Sequence, residues 1–342
     1  MVCWMRTLRS TLFLLLIVFY LLSGTWFLTS SNFYESPYSL PSVNTSLVNR
    51  SALLIDLPRF SYKLQAQPCT EQTFIVVIIH SAPQNFEKRN AVRNTWGNKV
   101  LANKQSLHFV FLVGESMLEN IQKSLMNESL VYGDVVQGSF LDSYRNMTYK
   151  HVMGLKWVSQ YCPDVQYVLK TDDDIFVDTF QLTQYVKEKF GTFGVSNLIY
   201  CYIYSNALVK RSHRSKWYIA VRDYKAAYFP DYCGGWAILY SKDVVLKLID
   251  ESTKHRYFWI DDVHVSGNLA TSLGIKKVAF NDKFSIVDIT KEDENRIKYS
   301  PDFVPVLFGY HNIDKNLLYK LWDRVLEYYE KNGYPSHNLK YL

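Results

Sequence analysis

The sequence predicts an α/β fold: a mostly parallel central sheet with helices on both faces, forming a single domain after an N-terminal transmembrane anchor. Three observations predict it. Short β-branched runs alternate with helical patterns through the first half of the chain, and such alternation builds a parallel sheet covered on both sides. The run Phe74-Ile75-Val76-Val77-Ile78-Ile79 is too apolar for a half-exposed strand and belongs in a sheet buried on both faces. The apolar residues 12–28 follow Arg6 and Arg9, and about 17 residues are just enough to cross a thin membrane.

Taken in order, residues 1–10 read as a cytosolic tail and 11–28 as a signal anchor. Positive charge ahead of the segment keeps the N-terminus cytosolic, and Trp26 and Phe27 make an interfacial belt. A cleaved signal peptide, cut near Ser23 and Gly24, is the competing reading. Both place the body of the protein in a lumen or outside the cell. Residues 29–68, rich in Ser, Asn, Pro and Tyr and without periodicity, read as a stem. Residues 69–342 are long enough for one domain with a sizeable core. Within it the pattern predicts a helix over 86–95, a strand over 107–113 and a helix over 117–126. A strand over 134–137, a helix over 143–160 and a strand over 166–170 follow. The second half is less regular, with helices over 242–252 and 315–331.

The remaining global signals agree with a secretory-pathway protein. Acceptor triplets for N-glycosylation occur at Asn44, Asn49, Asn127 and Asn146, the pattern of a secreted surface. Cys69, Cys162, Cys201 and Cys233 lie beyond the membrane segment, an even number in an oxidising compartment; three pairings are open. No two are close enough in sequence for a zinc site. The net charge of +6 is spread out and lacks the basic block that binds nucleic acid.

Four constellations carry chemistry. The strand over 166–170 runs into Asp172-Asp173-Asp174. Three adjacent acids repel one another unless positive charge sits among them, and a divalent cation shared with a phosphate-bearing ligand supplies it. The alternative is a solvated turn that caps a helix near Asp178. Arg89 and Arg93, four residues apart, share one helix face; their forks suit diphosphate oxygens or, alternatively, surface carboxylates. Tyr228-Phe-Pro-Asp-Tyr-Cys-Gly234-Gly235 joins aromatics to glycines that allow close backbone approach, or forms a tight turn under a disulfide. Trp259-Ile-Asp261-Asp262-Val263 sets acids in an apolar context, where one can serve as a general base and one can cap a helix over 263–273.

These segments, in this order, resemble the β-1,3-glycosyltransferases of glycosyltransferase family 31. The resemblance rests on Arg89-Asn-Ala-Val-Arg93-Asn-Thr-Trp96, Phe111-Leu-Val-Gly114, Tyr132 to Gln137 and Asp142 to Thr148. It continues through Cys162-Pro, Lys170 to Val177, Ser215-Lys-Trp217, Phe229 to Gly235 and Asp261-Asp-Val263. It implies a GT-A fold and a type II Golgi membrane protein anchored through residues 11–28. It also implies inverting transfer of a hexose, galactose favoured or N-acetylglucosamine, from UDP-galactose or UDP-N-acetylglucosamine to a glycolipid or glycoprotein acceptor. It further implies a requirement for a divalent metal, usually Mn²⁺. The resemblance assigns Asp262 as the catalytic base and Asp174 with His311 as metal ligands. It places Arg89, Arg93, Lys170, Asp172, Asp173, Trp217, Gly234 and Gly235 around the nucleotide-sugar, and suggests Cys69–Cys162 and Cys201–Cys233. Two departures stand out. Asp261 and His264 replace the family's usual Glu and aromatic residue, and Trp236 is bulky where a small residue is common.

Overall fold

The computed structural model describes residues 52–280, 284–285, 291–309 and 313–333. Its centre is an eight-stranded sheet in the order β1-β4-β3-β2-β5-β8-β7-β9. The strands are β1 (Tyr62–Leu64), β2 (Ile75–His80), β3 (Leu107–Glu115), β4 (Val135–Leu141), β5 (Tyr167–Asp172), β7 (Ile199–Tyr204), β8 (Tyr232–Ser241) and β9 (Lys277–Ala279). Pairings β3–β4, β2–β3, β2–β5 and β7–β9 are parallel. Pairings β1–β4, β5–β8 and β7–β8 are antiparallel. A small second sheet, β10-β11-β6, joins Phe284–Ser285, Phe308–Gly309 and Phe176–Val177.

Alternation along β2 shows why the sheet is covered twice. Ile75, Val77 and Ile79 enter one core with residues of α1 (Phe86–Arg93), α5 (Thr179–Phe190) and α9 (Lys315–Lys331). Val76 and Ile78 enter another with residues of α4 (Met147–Tyr161) and α6 (Lys242–Ser252). A strand buried on both faces calls for apolar residues on both sides, and β2 supplies them from Ile75 to Ile79 before ending on the buried His80. The remaining helices are α2 (Lys99–Lys104), α3 (Glu119–Tyr132), α7 (Ala270–Ser272) and α8 (Lys291–Tyr299). Asp178 caps α5 by accepting from the backbone N–H groups of Phe180 and Gln181. In place of the regular helix expected over 263–273, a π-helix, Val263–Leu269, leads into α7.

The expected membrane segment lies outside the described residues, among which no helix is long and apolar enough to cross a membrane. The segment expected as a stem, 29–68, is described from residue 52 on, and that part is folded. From residue 52 the chain packs on the sheet: Leu54, Ile55, Phe60 and Ala66 are buried, and β1 pairs with β4. The cysteines form Cys69–Cys162 and Cys201–Cys233.

Candidate active site

Strand β5 delivers the site. Period-two alternation sends Lys170 and Asp172 to the same side, and the Lys170 ammonium donates to Asp172 Oδ1 at 2.7 Å and to the Gly235 carbonyl. Lys170 is buried; burial works against its charge, yet Asp172 and Asp261 hold its pKa above the usual value. Asp261 sits ahead of the π-helix, its Oδ2 3.8 Å from Lys170 Nζ, 3.0 Å from His151 Nδ1 and 3.9 Å from His80 Nδ1. Burial pushes the Asp261 carboxyl up, but the Lys170 charge and the hydrogen bond from His151 outweigh it and hold the group well below the usual carboxylate range. An ionised Asp261 can only accept, so His151 Nδ1 carries the proton and Nε2 accepts from the Tyr240 hydroxyl at 3.2 Å.

The next residue behaves in the opposite way. Asp262 is pushed up to about 7, first by burial and then by the Asp261 charge. Its Oδ1 accepts from the Val263 backbone N–H at 2.8 Å, and its Oδ2 faces Gly235, where an added Cβ would lie 3.4 Å away. Of the two acids, Asp262 caps the π-helix through one oxygen. Asp172 is likewise raised, to about 6, because burial outweighs Lys170.

These groups line a cleft of about 730 Å³. The cleft gathers six expected residues: Lys170, Asp172, Trp217, Gly234, Gly235 and Asp262. Gly234 is needed beside Trp236, since a Cβ there would lie 2.7 Å from the indole Nε1. Trp217 Nε1 donates to the Tyr144 hydroxyl at 2.9 Å, and Trp259 lies under the Arg145 guanidinium at 4.1 Å. A wall of this kind, aromatic faces with a few fixed polar groups, suits a polar ligand with apolar faces.

Other expected residues stand elsewhere. Arg89 is buried and forks onto Glu128 at 2.6 and 2.7 Å, while Arg93 binds Asp134 and Glu128. Neither guanidinium reaches the cleft, because both are spent on carboxylates of α3 and the turn after it. Asp173 turns inward to accept from Ser81 Oγ at 2.8 Å and Asn85 Nδ2 at 2.9 Å. Asp174 draws the Lys88 ammonium to 3.3 Å. Its carboxylate oxygens are the hard donors that Mn²⁺ takes, and in this structure they face Lys88. His311 lies outside the described residues.

The sequence reading missed His80 and His151. Both are buried and held neutral, chiefly by burial. Only β2's register, which sets His80 opposite Asp172, discloses the first, and only the packing of α4 discloses the second. His80, His151 and Asp261 bring three potential ligand atoms within 4.8 Å of one another. Lys170 already supplies the positive charge this cluster would draw.

A family model described as galactosyltransferase matches residues 87–281. Human β-1,3-galactosyltransferase 2 is 31% identical over 265 residues, covering 76% of this chain and 61% of that protein. Mouse lactosylceramide 1,3-N-acetyl-β-D-glucosaminyltransferase is 30% identical over 227 residues, covering 64% and 60%. Human UDP-GalNAc:β-1,3-N-acetylgalactosaminyltransferase 1 is 34% identical over 206 residues, covering 58% and 60%. The matches thus span less than two thirds of each relative's length. With over half its length matched by one family model, this chain belongs to the galactosyltransferase family.

Proposed function

We propose that the chain is an inverting, metal-dependent β-1,3-glycosyltransferase with a GT-A fold. It moves a hexose, galactose favoured, from a UDP-sugar to a hydroxyl of a glycolipid or glycoprotein glycan. The observation that carries this reading is Asp262: a buried carboxyl on a cleft, raised to about 7 by burial and its ionised neighbour. A general base works best when its proton affinity lies near the working pH. The relatives are named for galactose, N-acetylglucosamine and N-acetylgalactosamine transfer, so donor choice stays part of the test.

The mechanism follows from charge. As the bond from the sugar's anomeric carbon to UDP breaks, the acceptor hydroxyl attacks from the opposite face and Asp262 takes its proton. A free hydroxyl is too weak an acid to be deprotonated beforehand, so proton transfer accompanies attack. One displacement turns an α-linked donor into a β-linkage. With Oδ1 engaged by Val263 N–H, Oδ2 is the oxygen that receives the proton. Lys170 holds Asp172 and Asp261 along one side of the cleft and keeps Asp261 ionised. Asp174, with His311, would hold Mn²⁺, which when bound neutralises charge on the departing diphosphate. The protein is proposed to be a type II Golgi membrane protein, with residues 11–28 as the anchor and the catalytic domain luminal.

The test is UDP release by the full chain in detergent. UDP-galactose, UDP-N-acetylglucosamine and UDP-N-acetylgalactosamine would each be offered with β-galactoside and N-acetylglucosaminide acceptors, in Mn²⁺ or EDTA. Metal-dependent turnover of UDP-galactose is expected. Turnover of another donor alone would reassign the sugar, and failure to bind any of the three would remove the transferase reading.

A further inference from the structure

Helix α3 leaves large apolar side chains in solvent. Leu125 and Glu128 are its buried residues, whereas Leu130 is 85% and Val131 76% exposed, with Met126 at 48%. Just before the helix, Met117 and Leu118 are also exposed. Single apolar residues on a surface are ordinary, but several together are not. Asn127 stands beside Met126, Leu130 and Val131 at the helix's C-terminal half. Residues three and four apart share a helix face, so Leu130 and Val131 flank Asn127 one turn on. Asn127 is exposed and opens the triplet Asn127-Glu128-Ser129. The middle residue explains how the triplet sits: Glu128 turns inward onto Arg89 and Arg93, which leaves its neighbour facing outward.

We propose that Asn127 carries an N-linked glycan whose first sugars lie over Leu130 and Val131. The inference rests on the luminal placement proposed above. The co-reactant is a lipid-linked oligosaccharyl diphosphate, used by the host's transferring enzyme. Asn127 Nδ2 bonds to the anomeric carbon as the carbon–oxygen bond to the diphosphate breaks. The diphosphate leaves with the electron pair, and one amide proton passes to the transferring enzyme's base. The apolar faces of the sugars then cover what the fold leaves bare. Asn146, the other described triplet, is placed differently. Its amide donates to the Leu141 carbonyl at 2.8 Å, and the buried Thr148 hydroxyl donates to the Phe258 carbonyl at 2.6 Å. That triplet is built into a packed turn, whereas Asn127 lies on open helix.

The test expresses the full chain in secretory-pathway cells and releases N-glycans enzymatically in ¹⁸O water, so that peptide mass spectrometry marks each occupied asparagine. Asn127 should be marked in most molecules. Asn127→Gln should lose one glycan and at least double self-association by light scattering, with UDP release unchanged. Adding Leu130→Ser and Val131→Ser to that variant should restore the parent's scattering. Glycans elsewhere with Asn127 unmarked would overturn the inference while leaving the luminal placement standing. No glycan at any site would overturn both. A marked Asn127 whose Gln variant scatters like the parent would overturn the covering role.

Discussion

Asp261 and Asp262 are neighbours in sequence with opposite proton affinities, and three groups explain the split. Lys170, His151 and His80 converge on Asp261, while Asp262 has burial and a negative neighbour. Because Asp262 must be ionised to accept a proton, transfer should rise with pH through about 7. Asp261→Asn should move that limb to lower pH, since it removes the charge that raises Asp262. Asp262→Asn should cut transfer by about 10³-fold or more while UDP binding survives, as single-turnover and UDP-binding assays would show. It should also stabilise the fold. A carboxyl raised on folding contributes stability below its unfolded value near 4 and loses it as pH rises through the folded value. The melting temperature of the parent should therefore fall relative to Asp262→Asn between about pH 4 and 7. Equal melting curves across that range would show that Asp262 is not held in its raised state.

Helix α1 shows what a helical spacing can and cannot convey. Arg89 and Arg93 do share a face, but nothing local announces that Glu128, 39 residues on from Arg89, will meet them. Guanidinium chemistry is the same toward a carboxylate and a diphosphate, so spacing could not choose. In the fold, Arg89 bonds Ser81 Oγ at 2.9 Å, and Ser81 in turn bonds Asp173. The arginine thus supports the acidic turn from beneath. Arg89→Met leaves Glu128 partly uncompensated and should destabilise by about 3–5 kcal/mol, with Arg89→Met/Glu128→Leu recovering much of it. Denaturant unfolding of the single and double variants would check this, and a near-neutral Arg89→Met would deny the pair its structural weight. Elements with strong local signals were legible: β2 by its unbroken apolar run, α6 and α9 by their periodicity. β1 was not, because a three-residue edge strand with no buried position is ordered only by pairing with β4. The antiparallel strands β7 and β8 were equally silent, since long-range pairing defines them. Trp217, Gly234 and Asp262 were legible because ordered motifs carry them, whereas His80 needed the register of the sheet and His151 the packing of α4.

At the scale of the molecule, two covalent links close the fold. Cys69–Cys162 spans 93 residues and ties the segment before β2 to the end of α4. Closing a loop of that size is worth about 4–5 kcal/mol in the chain-entropy picture. Replacing both cysteines by Ser should lower stability by about that much or somewhat less, measurable by thermal unfolding without reductant; an unchanged midpoint would show the link to be idle. The second link, Cys201–Cys233, is shorter and lies nearer the chemistry. It staples the base of a long irregular segment that bears Trp217, and Cys233 directly precedes Gly234 and Gly235. One wall of the cleft is therefore finished by an oxidation. A chain stranded in a reducing compartment would lack that staple, so the address to which the protein is delivered also decides whether the wall is completed.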